Sequence, residues 1–332
     1  MPNRLVFIFP LLVLLCSCEG NEHEYQKIQG KAQGTTYTIT FEGRQSAFLK
    51  SQADSVFKVI DRSMSLWDSS SAISNFNEST DGQVVDEHFQ NALQKSFEVH
   101  KQSAGAFDPT IGGLIKAWGF IRKNNLPLPT NRTIDSLKQL VGLEKITLIG
   151  NKVTKQNPNI ELDFNAIAQG YTVDVLAALL ENKGILNYLI EVGGEMRAKG
   201  KNSKGENWKV GVEKPVFNET ETPNDLQTVL SMTDVSLATS GNYRNFVQAN
   251  GKNLSHILNP KTGKPVEHAV VSVSVLAPDC TEADAWATAF MVLGKEKSIE
   301  LAKQLDFEIQ IISLKNNAFD IFQTAGFKKL IQ

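Results

Sequence analysis

An α+β fold, with mixed, largely antiparallel sheets and packed helices, is what this sequence predicts. Runs such as Thr35–Phe41 (TTYTITF) alternate with a period of two, the mark of a half-buried strand. Helical spacing appears only in separate blocks. Strand-like and helix-like segments follow one another irregularly, without the steady βαβ rhythm of a doubly wound sheet, and the chain shows no internal repeat, coiled-coil heptad or low-complexity tract.

In chain order, Glu19 to about Lys27 is polar and reads as a tether. The strand at Thr35–Phe41 follows Gly34. Ala47–Ser63 has helical spacing, with Phe48, Ala53, Val56, Phe57 and Ile60 available to one buried face. Phe89–Ser103 is a second helix, stopped near Gly105, and a loop with Asp108-Pro109 and Gly112-Gly113 leads into an apolar segment through Trp118 and Phe120. Leu126–Asn131 (LPLPTN) has linker composition, Thr133–Val141 reads as a short helix and Lys145–Lys155 as a hairpin. Ile160–Phe164 reads as a strand entering a helix from about Ala168 to Asn182, and Tyr188–Val192 as a strand closed by Gly193-Gly194. Trp208–Glu213, Val229–Ser240, Val247–Leu258 and Val270–Leu276 supply further strand material, with a polar loop at Glu219–Asp225. Thr281–Leu293 and Ser298–Gln304 are helices, and a small strand unit spans Phe307–Phe327.

The N-terminus has its own logic. Arg4 precedes an apolar stretch, Leu5–Leu15, about the length of a signal-peptide core and too short to cross a bilayer as a helix. It ends in Leu15-Cys16-Ser17-Cys18, which resembles a bacterial lipobox with cleavage before Cys18 and acylation of that residue. Several acyl chains on one residue hold a protein to a membrane far better than one. The expected organisation is a signal peptide at 1–17, a lipidated tether at 18–30 and the body of the protein at 31–332, as one domain or two intertwined subdomains, anchored in the cell envelope on the periplasmic side. Cys280 is then the remaining thiol of the folded body, which excludes an intramolecular disulfide framework; without thiol or histidine partners at zinc spacing it reads as a packed small residue.

The 332 residues are 41% hydrophobic and 21% charged, the balance of a globular chain with a sizeable core. A net charge of -2 with dispersed Lys and Arg gives no electrostatic footprint for nucleic acid, so none is expected as a partner.

Four stretches ask for more than packing: Gly105–Gly113 (GAFDPTIGG), Asp163–Asp174 (DFNAIAQGYTVD), Glu191–Glu195 (EVGGE), and a discontinuous one. The last runs from Ala238–Asn245 (ATSGNYRN) through Ser255–Gly263 (SHILNPKTG) to Ala277–Thr288 (APDCTEADAWAT). Asp284 and Thr288, four apart on a helix, share a face, where a carboxylate and a hydroxyl both reach a hard cation such as Mg²⁺. Thr281 with Asp284 also has the spacing of a capping box, so the pattern alone leaves both readings open. Small residues at Ala166, Ala168 and Gly170 at a helix start either let a phosphate approach free amides or serve close packing. His256 beside Ile257 and Leu258 reads as a structural imidazole or as a proton acceptor working near neutral pH. Arg244 pairs with a phosphate or with a carboxylate, and Gly193-Gly194 most simply turns a strand.

Together, in this order from about Gly34 to about Gly294, these motifs resemble the ApbE-type FAD:protein FMN transferase family. The resemblance implies an enzyme that uses Mg²⁺ to transfer FMN from FAD to a Thr or Ser hydroxyl of an acceptor protein, releasing AMP. It implies metal ligands at Asp284, Thr288 and the carbonyl of Ala168, and a catalytic role for Asp284 and His256. It places FAD contacts at Gln33, Trp67, Ala106, Phe107, Asp108, Asn165, Tyr171 and Leu258. Trp67 offers a ring face for stacking or is a core tryptophan, and Asp108 binds a ligand group or begins the Asp-Pro turn. Gln33 stands where the family has Met and Gln169 where it commonly has Lys, which removes one phosphate counter-charge. The implied partners are FAD, an acceptor from a membrane or exported redox system, and the membrane through the lipid. An FAD pyrophosphatase with water as nucleophile, and a flavin-binding lipoprotein without chemistry, use the same residues.

Overall fold

The computed structural model describes residues 24–44, 46–120, 128–215, 226–242, 246–249, 252–316 and 318–332. Cys18 with the expected signal peptide, Arg244, the Glu219–Asp225 loop and the first residues of the LPLPTN linker lie outside them. The order of elements is β1 (Tyr25–Ala32), β2 (Thr35–Glu42), α1 (Lys50–Met64), α2 (Ala72–Glu78), β3 (Gly82–Val84), α3 (Glu87–Gln102), α4 (Gly112–Trp118), α5 (Asn131–Lys138), β4 (Ile146–Ile149) and β5 (Lys152–Lys155). Then come α6 (Ala168–Asn182), β6 (Tyr188–Val192), β7 (Glu195–Lys199), β8 (Trp208–Glu213), β9 (Leu226–Met232), β10 (Val235–Gly241), β11 (Phe246–Ala249) and β12 (Lys252–Ser255). The chain closes with β13 (Leu258–Asn259), β14 (Lys264–Pro265), β15 (Val270–Ala277), α7 (Cys280–Leu293), α8 (Lys295–Leu305), β16 (Glu308–Lys315), β17 (Ala318–Gln323) and α9 (Ala325–Lys329).

Eight strands form one sheet in the order β1-β2-β6-β7-β10-β15-β16-β17. Each neighbouring pair is antiparallel. The α+β expectation holds. Side chains alternate across a strand, and β10 uses both faces: Ala238 packs with Ala283 of α7, while Leu237 packs with Trp208 and Leu230 of the β8–β9 pair. On the helical side one cluster joins Tyr37, Ile39 and Phe41 of β2 to Phe57 of α1 and to Val173, Leu176 and Leu180 of α6. A larger one joins Phe89 and Val99 of α3, Phe164, Ile167, Trp286 and Phe290 to Val273 and Val275 of β15. The sheet is the floor on which α6 and α7 lie side by side.

Four expectations change. Residues from Tyr25 onward, expected within the tether, are strand: β1 pairs along its whole length with β2, because a lone β2 would leave its outer backbone groups without partners. Ile160–Phe164 is not a strand; a single bridge, Ile111 to Glu161, is its ladder contact, and its apolar residues fill the core without sheet pairing. The seven residues Ala72–Glu78 form a helix too short for periodicity to reveal, started by the Ser71 side chain accepting from the Ser74 N–H. Gly112-Gly113 begins a helix where a loop was expected, and Gly112 is required there because a Cβ would stand 2.8 Å from the Glu161 carbonyl oxygen.

Candidate active site

Asp284 lies in the first turns of α7, 8% exposed, and its Oδ2 accepts a hydrogen bond from the Gly170 N–H at 3.0 Å. That contact is possible because residue 170 has no side chain: a Cβ there would stand 2.3 Å from the Cys280 carbonyl oxygen and 2.7 Å from Asp284 Cβ. Gly170 thus admits helix α7, which was the packing alternative for the small residues of this stretch. The start of α6 is also not an open cradle of amides. The Ile167 and Ala168 N–H groups donate to the Phe164 carbonyl, that of Tyr171 to Ile167 and that of Gly170 to Asp284.

A second tie fixes the pair of helices. Asp174, one turn beyond Gly170, accepts from the N–H groups of Cys280 and Thr281 at 3.0 and 2.8 Å and from the Thr281 hydroxyl at 2.6 Å. Arg197 of β7 donates to the same carboxylate at 2.7 Å. Asp174 therefore fills the unsatisfied amides at the α7 N-terminus and joins both helices to the sheet. Asp279 is the N-cap of α7 and accepts from the Glu282 N–H, so the capping box read at Thr281–Asp284 does not form and Asp284 is left to face α6.

Thr288 is one turn further along α7 and half-buried. The Ala168 carbonyl opens α6, accepting from the Thr172 hydroxyl at 2.7 Å, and Thr172 in turn accepts from Gln33 Nε2 at 3.0 Å. Gln33 holds the β1–β2 turn at φ 50 and keeps its Oε1 buried without a partner. The β6–β7 turn reaches the same place: Gly193 sits so close to Gln169 that a Cβ would meet its Nε2 at 2.9 Å. The next residue but one, Glu195, opens β7 and is 6% exposed, and its Oε2 has no hydrogen-bond partner. Burial raises both carboxyls. Asp284 is pushed up to about 7, and Glu195 is raised well above the usual carboxylate range by burial first and then by the charge of Asp284.

The remaining expected residues divide into two groups. Tyr171 is buried next to the α6 start, its hydroxyl taking the Asn91 side-chain N–H at 3.1 Å and lying 3.0 Å from His88 Nδ1. Ala106 and Phe107 are buried in the same apolar cluster as Ile167, Tyr171 and Ile257. Asn165 is exposed just before α6, with its N–H donating to Asp163. Trp67 is 62% exposed, which fits an open ring face and not a core tryptophan. Asp108 is engaged in its own turn: Oδ1 takes the Thr110 N–H at 2.9 Å and its hydroxyl at 2.5 Å, and Oδ2 lies 3.4 Å from His100 Nδ1. Leu258 belongs to a separate apolar cluster with Leu114, Trp118 and Ile134. His256 lies between β12 and β13, half-buried, immediately before Ile257, whose side chain joins the cluster around Ile167 and Tyr171. Sequence reasoning missed the part played by Asp174 and Glu195. Asp174 at i+4 from Gly170 was the available signal; for Glu195 there was none beyond its place after a double glycine.

Asp284, the Thr288 hydroxyl and the Ala168 carbonyl are hard oxygen donors, the set Mg²⁺ accepts while keeping some water. Among the described residues no three His, Cys, Asp or Glu side chains gather as a metal cluster, so an ion here would rest on mixed oxygens. Two adjoining buried carboxyls, one with an orphaned oxygen, fit a missing positive charge.

The chain is similar to known proteins over most of its length. A model described as the ApbE family matches residues 33–312. The FAD:protein FMN transferase of Escherichia coli (strain K12) is 33% identical over 318 residues, 93% of this chain and 90% of that protein. That of Vibrio cholerae serotype O1 is 32% identical over 338 residues, covering 100% of this chain and 99% of its own length. Among solved structures, the flavin transferase ApbE from Vibrio cholerae matches with a TM-score of 0.82 at 30% identity, over 93% of this chain and 99% of that one. The apo form of Pseudomonas stutzeri flavinyl transferase ApbE matches with a TM-score of 0.84 at 27% identity, over 93% and 97%.

Proposed function

The chain belongs to the ApbE family and is an FAD:protein FMN transferase, and from that premise we propose that Asp284, Thr288 and the Ala168 carbonyl hold a Mg²⁺ ion on which the transfer depends. The reaction is a phosphoryl transfer. A Thr or Ser hydroxyl of the acceptor attacks the phosphorus on the FMN side of the FAD diphosphate; the bond to the AMP oxygen breaks, and a phosphodiester joins FMN to the acceptor. Bound at these oxygens, Mg²⁺ supplies positive charge against the phosphoryl oxygens and the leaving AMP.

The protein's own residues do the rest. Gly170 donates to Asp284 Oδ2 and fixes the rotamer of a carboxylate that burial alone would leave costly. Asp174 holds α6 and α7 at one spacing, so Ala168 and Asp284 keep their separation when substrate enters. Tyr171, Asn165, Trp67, Gln33 and the Ala106–Asp108 turn are the proposed flavin and adenine contacts, and Leu258, in its separate apolar cluster, is a further one. The Gln33 Oε1, buried and unpartnered, offers a ligand N–H a stronger acceptor than the weak thioether sulfur of the family's Met. His256 takes the proton from the attacking hydroxyl, a role worth on the order of 10²–10⁴ in rate. Cys18 carries the lipid, and the acceptor is a subunit of an exported or membrane-bound redox system.

The observation that carries the metal reading is the buried Asp284 carboxylate turned onto the start of α6. Incubation with FAD, Mg²⁺ and a candidate acceptor, followed by a denaturing gel, reads flavin fluorescence on the acceptor band. Asp284→Ala is expected to abolish the band while circular dichroism stays native; persistent labelling overturns the reading. AMP released without an acceptor would instead mark hydrolysis.

A further inference from the structure

Glu195 is absent from the proposed ligand set, yet its position is hard to explain by packing. It follows the Gly193-Gly194 turn, whose first glycine lies against the Gln169 side chain at the start of α6. Its side chain shares the strand face of its partner Val192, which is the face covered by α6. It is 6% exposed, its Oε2 has no partner, and no Lys or Arg forms an ion pair with it among the described residues. The donor its carboxyl has is its own backbone N–H, and a buried carboxylate that no cation faces is strongly disfavoured. Its electrostatic neighbours are Asp284 and Glu191, both acidic. Glu191 is differently placed, since its Oε1 already accepts the Gly194 N–H at 2.9 Å. Glu195 is therefore left either to keep a proton or to face a cation, beside the carboxylate proposed to bind that cation.

We propose that Glu195 is a further carboxylate of the cation site, holding the ion together with Asp284, directly or through one of the waters it retains. This rests on the reading of Asp284, Thr288 and Ala168 as the ion's protein ligands. With Glu195 the site carries two negative charges, one delivered by α7 and one by β7, so the ion clamps helix to sheet as well as serving the diphosphate. The β6–β7 turn then acts as a positioning device: Gly193 lets it lie under Gln169, and Glu195 is aimed from its far side.

The test is Mn²⁺ binding to the full chain without FAD, followed by the electron paramagnetic resonance of the free ion. Glu195→Gln, which keeps the shape and removes the charge, is expected to weaken binding roughly 10–100-fold. Glu191→Gln is expected to leave it within about twofold, because that carboxylate already has its partner. In parallel, apo Glu195→Gln is expected to unfold at or above the wild-type temperature, while the rise that Mg²⁺ gives the wild type shrinks. A merely structural Glu195 would show the reverse pattern: a lower apo unfolding temperature and an unchanged ion affinity. If the wild type binds Mn²⁺ and Glu195→Gln binds it equally, Glu195 is not part of the site and the Asp284 reading stands. If the wild type binds none, the Asp284 reading fails and Glu195 with it. Should Glu195→Gln not fold, Glu195→Asp withdraws the charge by one methylene and carries the same comparison.

Discussion

At the scale of single residues, the site is made of groups whose chemistry is set by burial. Asp163 illustrates this away from the proposed ion. It is 5% exposed, one oxygen takes the Asn165 N–H at 2.7 Å, the other has no partner, and its carboxyl is pushed up to about 6 by burial. A carboxyl raised on folding binds its proton more tightly in the folded state, so it favours folding below about pH 4 and loses that contribution as pH rises to about 6. The shift corresponds to roughly 3 kcal/mol. Asp163→Asn keeps the acceptor for Asn165, so its urea-unfolding stability should gain on the wild type across that interval and hold the gain above it. A parallel pH dependence in the two proteins would refute the assignment. His256 belongs to the same scale, and its identity in a Ser-His-Ile segment was legible. Its surroundings were not, because the cluster against which the neighbouring Ile257 packs comes from Ile167 and Tyr171, far away in sequence.

At the scale of elements, helices α6 and α7 form the unit that matters. Their spacing depends on one missing side chain and one carboxylate. Gly170→Ala would drive a methyl into the Cys280 carbonyl, and overpacking of this kind costs about 1–3 kcal/mol. The expected result is a lower unfolding temperature together with weaker Mn²⁺ binding, since Asp284 and Ala168 move apart. An unchanged affinity would mean that the two ligand-bearing helices are not held by this contact. Asp174→Ala removes the acceptor of two α7 amides, the Thr281 hydroxyl and Arg197, and is expected to cost roughly 2–4 kcal/mol in chemical denaturation. A loss under half a kcal/mol would show that the tie is ornamental. Much of this level was readable. Long periodic elements such as α6 and β6 begin and end where the residue pattern places them. The misses have physical causes. Ile160–Phe164 has strand composition, but its backbone is spent on Asn77, Pro109 and local turns in place of a neighbouring strand. The polar run before Gly34 looked like tether because an edge strand exposed on one side needs few apolar residues.

At the scale of the whole molecule, the eight-stranded sheet brings together residues from Gln33 to Thr288 around one end of α6. That convergence was legible as a set of ordered motifs but not as geometry. Sequence spacing paired Asp284 with Thr288 on one helix face, whereas the partners of Asp284 across space, Gly170 and Glu195, come from α6 and β7. The flanking β8–β9 pair covers the opposite face with Trp208, Leu230 and Met232 and leaves the helical side to carry the chemistry. The lipid proposed at Cys18 would hold the protein to a membrane whatever the state of the site. Replacement of Cys18 by Ser is therefore expected to move the protein from the membrane to the soluble fraction while flavin transfer to a soluble acceptor continues. Retention in the membrane fraction would exclude acylation at that residue as the anchor.

In the proposed site a divalent ion sits between α7 and the first carbonyl of α6. Crystals soaked with Mn²⁺ and FAD, measured for anomalous scattering, test it directly. A peak coordinated by Asp284, Thr288 and the Ala168 carbonyl oxygen, against the diphosphate, is the predicted result; strong density for FAD with no anomalous peak among those three residues would contradict it.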